Sequence, residues 1–362
     1  MSHAARYSKA MSENLPSTHV ALIGAGPIGL ETAIELKKAK CDYLHFEKGQ
    51  IASTIMRYPP GTIYFSSPER ISIAGFPIPI VGQTKATKEQ YIAYLRSVAT
   101  AYDLPIQTYE PVERIERLPA GGFVLHTTTA HGSVQHAYRA TNIILAVGDM
   151  EFPRRLGIPG EDLAHVSYYL EEPHTYFGRR VLIVGGKNSA AESALRCYRA
   201  GARVAISYRQ SQFDDQSLKY WIYPELRGLV ERGAIEAHLR TCPVRISPTH
   251  VTLRPLDEGD ASAEREIPAD FVVMQTGYRP DQTLLDQIGV ELNGEQQAPV
   301  CDRDTMETNV PGVYVAGTAV AGEQLRFRLF IENCHIHAHR IVHALTGQPP
   351  PSAENPWSLP ET

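Results

Sequence analysis

Short unbroken apolar runs that stop at a glycine organise this chain. Residues 19–23 (HVALI) lead into the turn GAGPIG, residues 30–40 (LETAIELKKAK) carry apolar positions at helical spacing, and residues 41–49 (CDYLHFEKG) hold a second apolar run. Unbroken runs of this length suit a strand covered on both faces, so the segment reads as strand, turn, helix and strand. The pattern returns at residues 179–209, where RRVLIVGGKNSA, AESALRCYRAG and ARVAISYR give the same succession. Three more apolar runs end in small-residue turns: NIILAVGDMEFP (142–153), FVVMQTGYRPD (271–281) and VPGVYVAGTAVAG (310–322). Residues 328–345 predict a long final helix.

Strands alternating with helices predict an α/β fold with two Rossmann-like, three-layer nucleotide-binding domains. Pro153, Pro159 and Gly160 break the chain after the first late run, and Tyr278, Arg279 and Pro280 after the second. These breaks place one domain, residues 159–272, inside a discontinuous one made of residues 18–158 and 273–347. Residues 1–17 read as a flexible extension, with Met11 offering a shorter start, and the Pro-rich residues 348–362 as a disordered tail.

Composition narrows the class. The 362 residues are 43% apolar and 21% charged, with a formal charge of −5, which is a globular chain long enough for two cores. A weak negative charge supplies neither phosphate neutralisation nor polybasic anchoring, which argues against a nucleic-acid or membrane partner. The first residues lack the apolar region of an export signal, and no apolar stretch has bilayer length. Five cysteines without a C-x-x-C pair fit a reducing cytoplasm better than a disulfide framework or a zinc knuckle.

The first glycine turn has the features of a dinucleotide site. Gly24 permits the tight turn, Gly26, followed by Pro27, lets backbone approach a pyrophosphate, and Gly29 lets the helix pack on the strand. Glu47 closes the second strand roughly 20 residues on, where a carboxylate accepts ribose hydroxyls; the alternative is a surface acid. Lys48, Gly148, Gly317, Thr318 and Ile331 end the neighbouring runs and complete a candidate FAD site. The start of the final helix, Ile331 to Cys334, would aim its amides at the electron-rich edge of reduced flavin.

The second turn is Gly185, Gly186, Lys187, Asn188, Ser189. Lys187 stands where a second glycine would let backbone meet phosphate, though its ammonium could itself touch the pyrophosphate. The following strand ends in Ser207, Tyr208 and Arg209 with no carboxylate to hold a free ribose, and a guanidinium suits a 2′-phosphate. NADPH is therefore expected over NADH, with Gly277 closing the site; a solvated surface arginine is the alternative for Arg209.

With both units in place, the chain resembles FAD-dependent pyridine-nucleotide disulfide oxidoreductases of the low-molecular-weight thioredoxin reductase type. VLIVGGKNSAAESAL, HVSYYLEEPHTYFGRR, LKYWIYPELRGLV and FIENCHIH are similar to stretches of the bacillithiol-disulfide reductase family, over roughly residues 18 to 347. The resemblance implies a homo-oligomeric flavoprotein that takes hydride from NADPH into FAD and passes electrons to a small disulfide. Three positions depart from it. The C-x-x-C pair of thioredoxin reductases is absent where HVSYYLEEPHTY stands, the single cysteine of the bacillithiol branch matches Ile28, and the Gly-Asp pair near the ribityl chain reads Gly317-Thr318.

Cys334, at the first turn of the final helix, is then the candidate replacement thiol, since a helix dipole lowers a thiol pKa. His337 matches a histidine of the bacillithiol branch and is the candidate proton donor. His335, His339 and His343 are collinear, a poor metal set, and no metal is expected. Competing functions are a flavin-dependent monooxygenase, a ferredoxin or quinone reductase that needs no cysteine, and a non-catalytic redox sensor.

Overall fold

A computed structural model describes residues 15–129, 132, 134–256, 264–324 and 329–347. The first sheet takes β1 (Ser17–Ile23), β2 (Tyr43–Glu47), β3 (Ile106–Thr108), β4 (Val112–Arg117), β5 (Phe123–Thr128) and β6 (Gln135–Leu145) in the order β3-β2-β1-β6-β5-β4. β1, β2, β3 and β6 are parallel, and β4 and β5 form an antiparallel flap on β6. Val20, Ala21 and Leu22 at its centre are fully buried, which is why the run shows no alternation.

Helix α1 (Pro27–Lys38) connects β1 to β2. Pro27 begins it and Lys37 and Lys38 sit in its last turn, so its ends suit the helix dipole. Leu30, Ile34 and Leu36 on α1 are fully buried, and cutting Ile34 to Ala would cost roughly 2–5 kcal/mol. Helix α2 (Lys88–Ala101) starts at a reciprocal cap between Thr87 and Gln90 and packs Tyr91, Tyr94 and Leu95 into the same core.

The second sheet is wholly parallel: β7 (Val166–Ser167), β8 (Arg180–Val184), β9 (Arg203–Tyr208), β10 (Glu236–Leu239) and β11 (Phe271–Met274) lie in the order β10-β9-β8-β11-β7. Helix α3 (Asn188–Arg199) follows β8 and buries Ala190, Ala194 and Leu195. The chain then returns to the first sheet. β12 (Val313–Val315) runs parallel beside the second half of β6, and α4 (Ile331–Thr346) lies against α1, ending at Gly347 in a left-handed conformation (φ +66°).

Ser17 already pairs with Arg139, so the extension expected over residues 1–17 loses its last residue to the sheet. Residues 1–14 of that extension, and the tail expected at 348–362, lie outside the described residues. Among the described residues no helix is long and apolar enough to cross a membrane.

Candidate functional site

Four parallel strands of the first sheet end level. Ile23 stands opposite Phe46 and Leu145, and Leu145 opposite Val315. The residues that follow each strand therefore share one rim at the carboxyl edge of the sheet, where open α/β sheets bind ligands. Gly24 follows β1, Glu47 ends β2, Gly148 and Asp149 follow β6, and Gly317 and Thr318 follow β12.

Close packing sets the first turn. Gly24 has φ +106°, and a Cβ there would run into the Ala146 carbonyl; a Cβ on Gly29 would overlap the Gly24 carbonyl oxygen. That oxygen is held by His45 Nε2 at 2.9 Å, and burial pushes the His45 pKa down to about 4, so a neutral ring donates from Nε2. Glu47 accepts the Ala25 N–H on Oε2 (2.8 Å), and the Gly49 N–H (2.8 Å) and Ser53 hydroxyl (3.3 Å) on Oε1. Gly26 differs from its neighbours: nothing lies within 4 Å of the place its Cβ would take. This leaves an open cradle over the amino end of α1, a fit for a dinucleotide pyrophosphate.

A cleft of 1640 Å³ joins this rim to the second unit. Gly24, Gly26, Pro27, Gly29, Glu47, Lys48, Gly148, Gly317, Thr318 and Ile331 line it from the first unit, and Lys187, Asn188, Ser189 and Arg209 from the second. Gly185, Gly186 and Gly277 do not line it. Gly185 packs on the Gln275 carbonyl, Gly186 lies beneath the Tyr208 ring, and the Gly277 carbonyl accepts the Arg154 N–H at 2.8 Å. The Asn188 side chain is taken up by protein as well: it donates to the Ser217 carbonyl (3.1 Å) and accepts the Lys219 N–H (2.8 Å).

Cationic side chains of the second unit fasten it to the first. Arg196 donates to the Gly61 carbonyl (2.6 Å) and Lys219 to the Ile63 carbonyl (2.7 Å). Glu192, buried in the cleft wall, takes Arg196 at 2.8 Å and Lys219 at 3.5 Å. Burial lowers the Lys219 pKa while Glu192 opposes it. Trp221 stacks on Phe65 with ring centroids 6.0 Å apart, and Lys85 lies over both rings.

The two candidate catalytic residues both lie off the cleft. Cys334 is fully buried in the core shared by α4 and the first sheet and lies off the cleft. Burial, helped by Asp149 and Glu332, raises its thiol pKa far above the ordinary value, the reverse of the activation expected from a helix dipole. His337 is also buried and off the cleft. Its Nδ1 accepts the Gly317 N–H at 3.2 Å, and burial with Arg340 nearby pushes its pKa to about 4. It braces the Gly317 turn as a neutral ring.

His335 instead meets Glu31 through Nδ1 at 2.6 Å and the Arg70 carbonyl through Nε2 at 2.9 Å. Among the described residues no group of histidines, cysteines and carboxylates is arranged for a metal.

Asp149, Glu192 and Lys219 line the cleft and escaped the sequence reading. Asp149 had a signal, being the first polar side chain beyond the apolar run of β6. Glu192 and Lys219 had none, because only folding brings Lys219 to Glu192 and to Ile63.

The chain matches the pyridine nucleotide-disulphide oxidoreductase family over residues 21–317. It is 36% identical to bacilliredoxin reductase Bdr of Bacillus subtilis (strain 168) over 324 residues, covering 89% of this chain and 95% of that protein. Among solved structures it is similar to bacillithiol disulfide reductase Bdr (YpdA) from Bacillus cereus, with TM-score 0.85 and 34% identity over 91% of this chain and 99% of the other. The Staphylococcus aureus protein of the same description gives 0.84 and 31%, over 92% and 99%. The family implies the cofactors FAD and NADPH. Two Rossmann-type units opening on one cleft, and a family match that spans both, make this chain an oxidoreductase that belongs to the pyridine nucleotide-disulphide oxidoreductase family.

Proposed function

We propose that the chain is an NADPH-dependent FAD reductase of a small disulfide of the bacillithiol-disulfide kind. The observation that carries this reading is that the cradle at Gly26 and the second-unit turn at Lys187 to Ser189 open on the same cleft. Bound FAD would accept hydride from NADPH and release the electron pair to the acceptor. With one solvent proton, NADPH and a disulfide then become NADP⁺ and two thiols.

The residues of the chain hold and orient. The amino end of α1 and the cradle at Gly26 take the pyrophosphate of FAD, and Glu47 takes a ribose of its ADP half. Arg209 lines the cleft at the end of β9, while Arg154 is paired with Glu323. The Arg209 guanidinium suits the 2′-phosphate of NADPH. Arg196 and Lys219 keep the two nucleotide pockets facing each other, which is the positioning a hydride transfer needs.

No cysteine among the described residues lines the cleft, and Ile28 does. The protein therefore supplies no thiol for a mixed disulfide at that place. The same observation favours a second reading, a reductase of ferredoxin or a quinone, which requires none. Anaerobic addition of NADPH tests the shared first step: the flavin's visible absorption must bleach, and a persisting spectrum ends both readings. NADPH oxidation against a panel of disulfides, quinones and ferredoxin separates them.

A further inference from the structure

Asp149 is, beside Glu47 and Glu110, one of the buried carboxylates that end or follow strands of the first sheet and line the cleft. It is 8% exposed, against 6% for Glu47, and both line the cleft. Asp149 and Glu47 lie on either side of the glycine turn. Glu47 ends β2 on one side of β1, and Asp149 follows β6 on the other, with strand ends level across all three.

Asp149 is tied to the protein without being saturated by it. Gln324 Nε2 donates to its Oδ2 at 2.9 Å, and the Thr318 hydroxyl and the N–H of Asp149 itself donate to the carboxylate as well. Gln324 is itself anchored to Leu329, donating to its carbonyl at 3.1 Å and accepting its N–H at 2.9 Å. The acid thus fixes the Thr318 turn and the entry to α4 around one point. An ionised carboxylate offers about four acceptor sites, so these three donors leave one, on a side chain that lines the cleft. Burying a charge whose hydrogen bonds are incomplete is costly, and burial does raise the Asp149 pKa against the pull of Thr318. A ligand that donates at this point removes that cost, whereas a phosphate would be repelled.

The course of a dinucleotide over the rim follows. A linear molecule held at its middle over Gly26, with one sugar at Glu47 over β2, has its other half over the ends of β6 and β12. The atoms next to the pyrophosphate in that half of FAD are the ribityl hydroxyls, which are donors. We propose that Asp149 is the acceptor for the ribityl hydroxyls of FAD, the counterpart of Glu47 on the flavin side. This assignment rests on the FAD reading of the site given above.

The test uses the full chain stripped of flavin, titrated separately with FAD and with ADP. ADP fills the half over α1 and β2 and stops short of Asp149. In Asp149→Ala, FAD affinity should fall by about 10- to 100-fold, the loss of one charge-assisted hydrogen bond, with ADP affinity unchanged. Asp149→Asn keeps the shape and one acceptor oxygen, and should lose less than the alanine variant. An alanine variant that binds FAD as wild type does, or that loses FAD and ADP in step, overturns the assignment. Wild-type protein that binds neither ligand overturns the FAD reading itself, a distinguishable result.

Discussion

Gly26→Ala separates what the first turn does for folding from what it does for a ligand. Gly26 has φ −74° and ψ −178°, an extended conformation that alanine adopts freely, and no atom stands within 4 Å of the added Cβ. The apoprotein should be as stable as wild type, or gain up to about 1 kcal/mol from the stiffer unfolded chain. The methyl group would occupy the cradle over α1 and keep a pyrophosphate off the backbone amides. Each charge-assisted bond lost is worth about 1.5–3 kcal/mol, so FAD affinity should fall at least about 10-fold. Gly29→Ala is the contrasting perturbation, because its Cβ would overlap the Gly24 carbonyl oxygen. Relieving that overlap moves backbone and should cost the apoprotein roughly 1–3 kcal/mol. Thermal melting of flavin-free protein and fluorescence titration with FAD measure the two effects. A Gly26→Ala apoprotein that melts well below wild type, or that binds FAD unchanged, refutes the cradle.

Three other outcomes follow from the same geometry. Cys334→Ala should turn over as wild type does, and thiol reagents should reach Cys334 only after denaturation, because the buried thiol carries no thiolate; loss of activity in that variant would return the thiol to the mechanism. Arg209→Ala should raise the KM for NADPH about 10-fold or more while leaving that for NADH unchanged, through loss of a charge-assisted contact. Equal losses for both nucleotides would deny Arg209 the 2′-phosphate. Burial works to lower the His335 pKa, yet the Glu31 carboxylate against it prevails and the net shift is upward. A raised folded pKa gives stability that is complete below the unfolded value near 6.5 and is lost as pH rises through the folded value. His335→Gln should cost roughly 3 kcal/mol near pH 6 and flatten the fall in melting temperature above that pH. An unchanged slope would mean the pair carries no pH-dependent stability.

The glycine turns were legible because each glycine answers a local demand, a left-handed turn at Gly24 or a close approach at Gly29, that a six-residue window displays. The parallel strands were legible because unbroken apolar runs are what double coverage requires. The burial of Cys334 had its signal in its own helix. Cys334, Ala338 and Ile341 are spaced at i, i+4 and i+7 and form the buried stripe of α4. A helix amino end attracts thiolates only where a thiol faces solvent or ligand, and this one faces the sheet. At Gly186 the demand is not local: its lack of a side chain makes room for the ring of Tyr208, a residue 22 positions away.

The return of β12 to β6 has a consequence for synthesis on the ribosome. Every strand of the second sheet has been made by Met274, whereas the first sheet lacks β12 until Val315 has emerged and α1 lacks its partner α4 until Thr346 has. The inner unit can close as nascent chain while the outer one waits, half built, around it. A product truncated at residue 312 would leave the Ile143–Leu145 stretch of β6 as an open apolar seam ready to pair with another chain. Such fragments should aggregate, and flavin uptake should be among the last events of biogenesis.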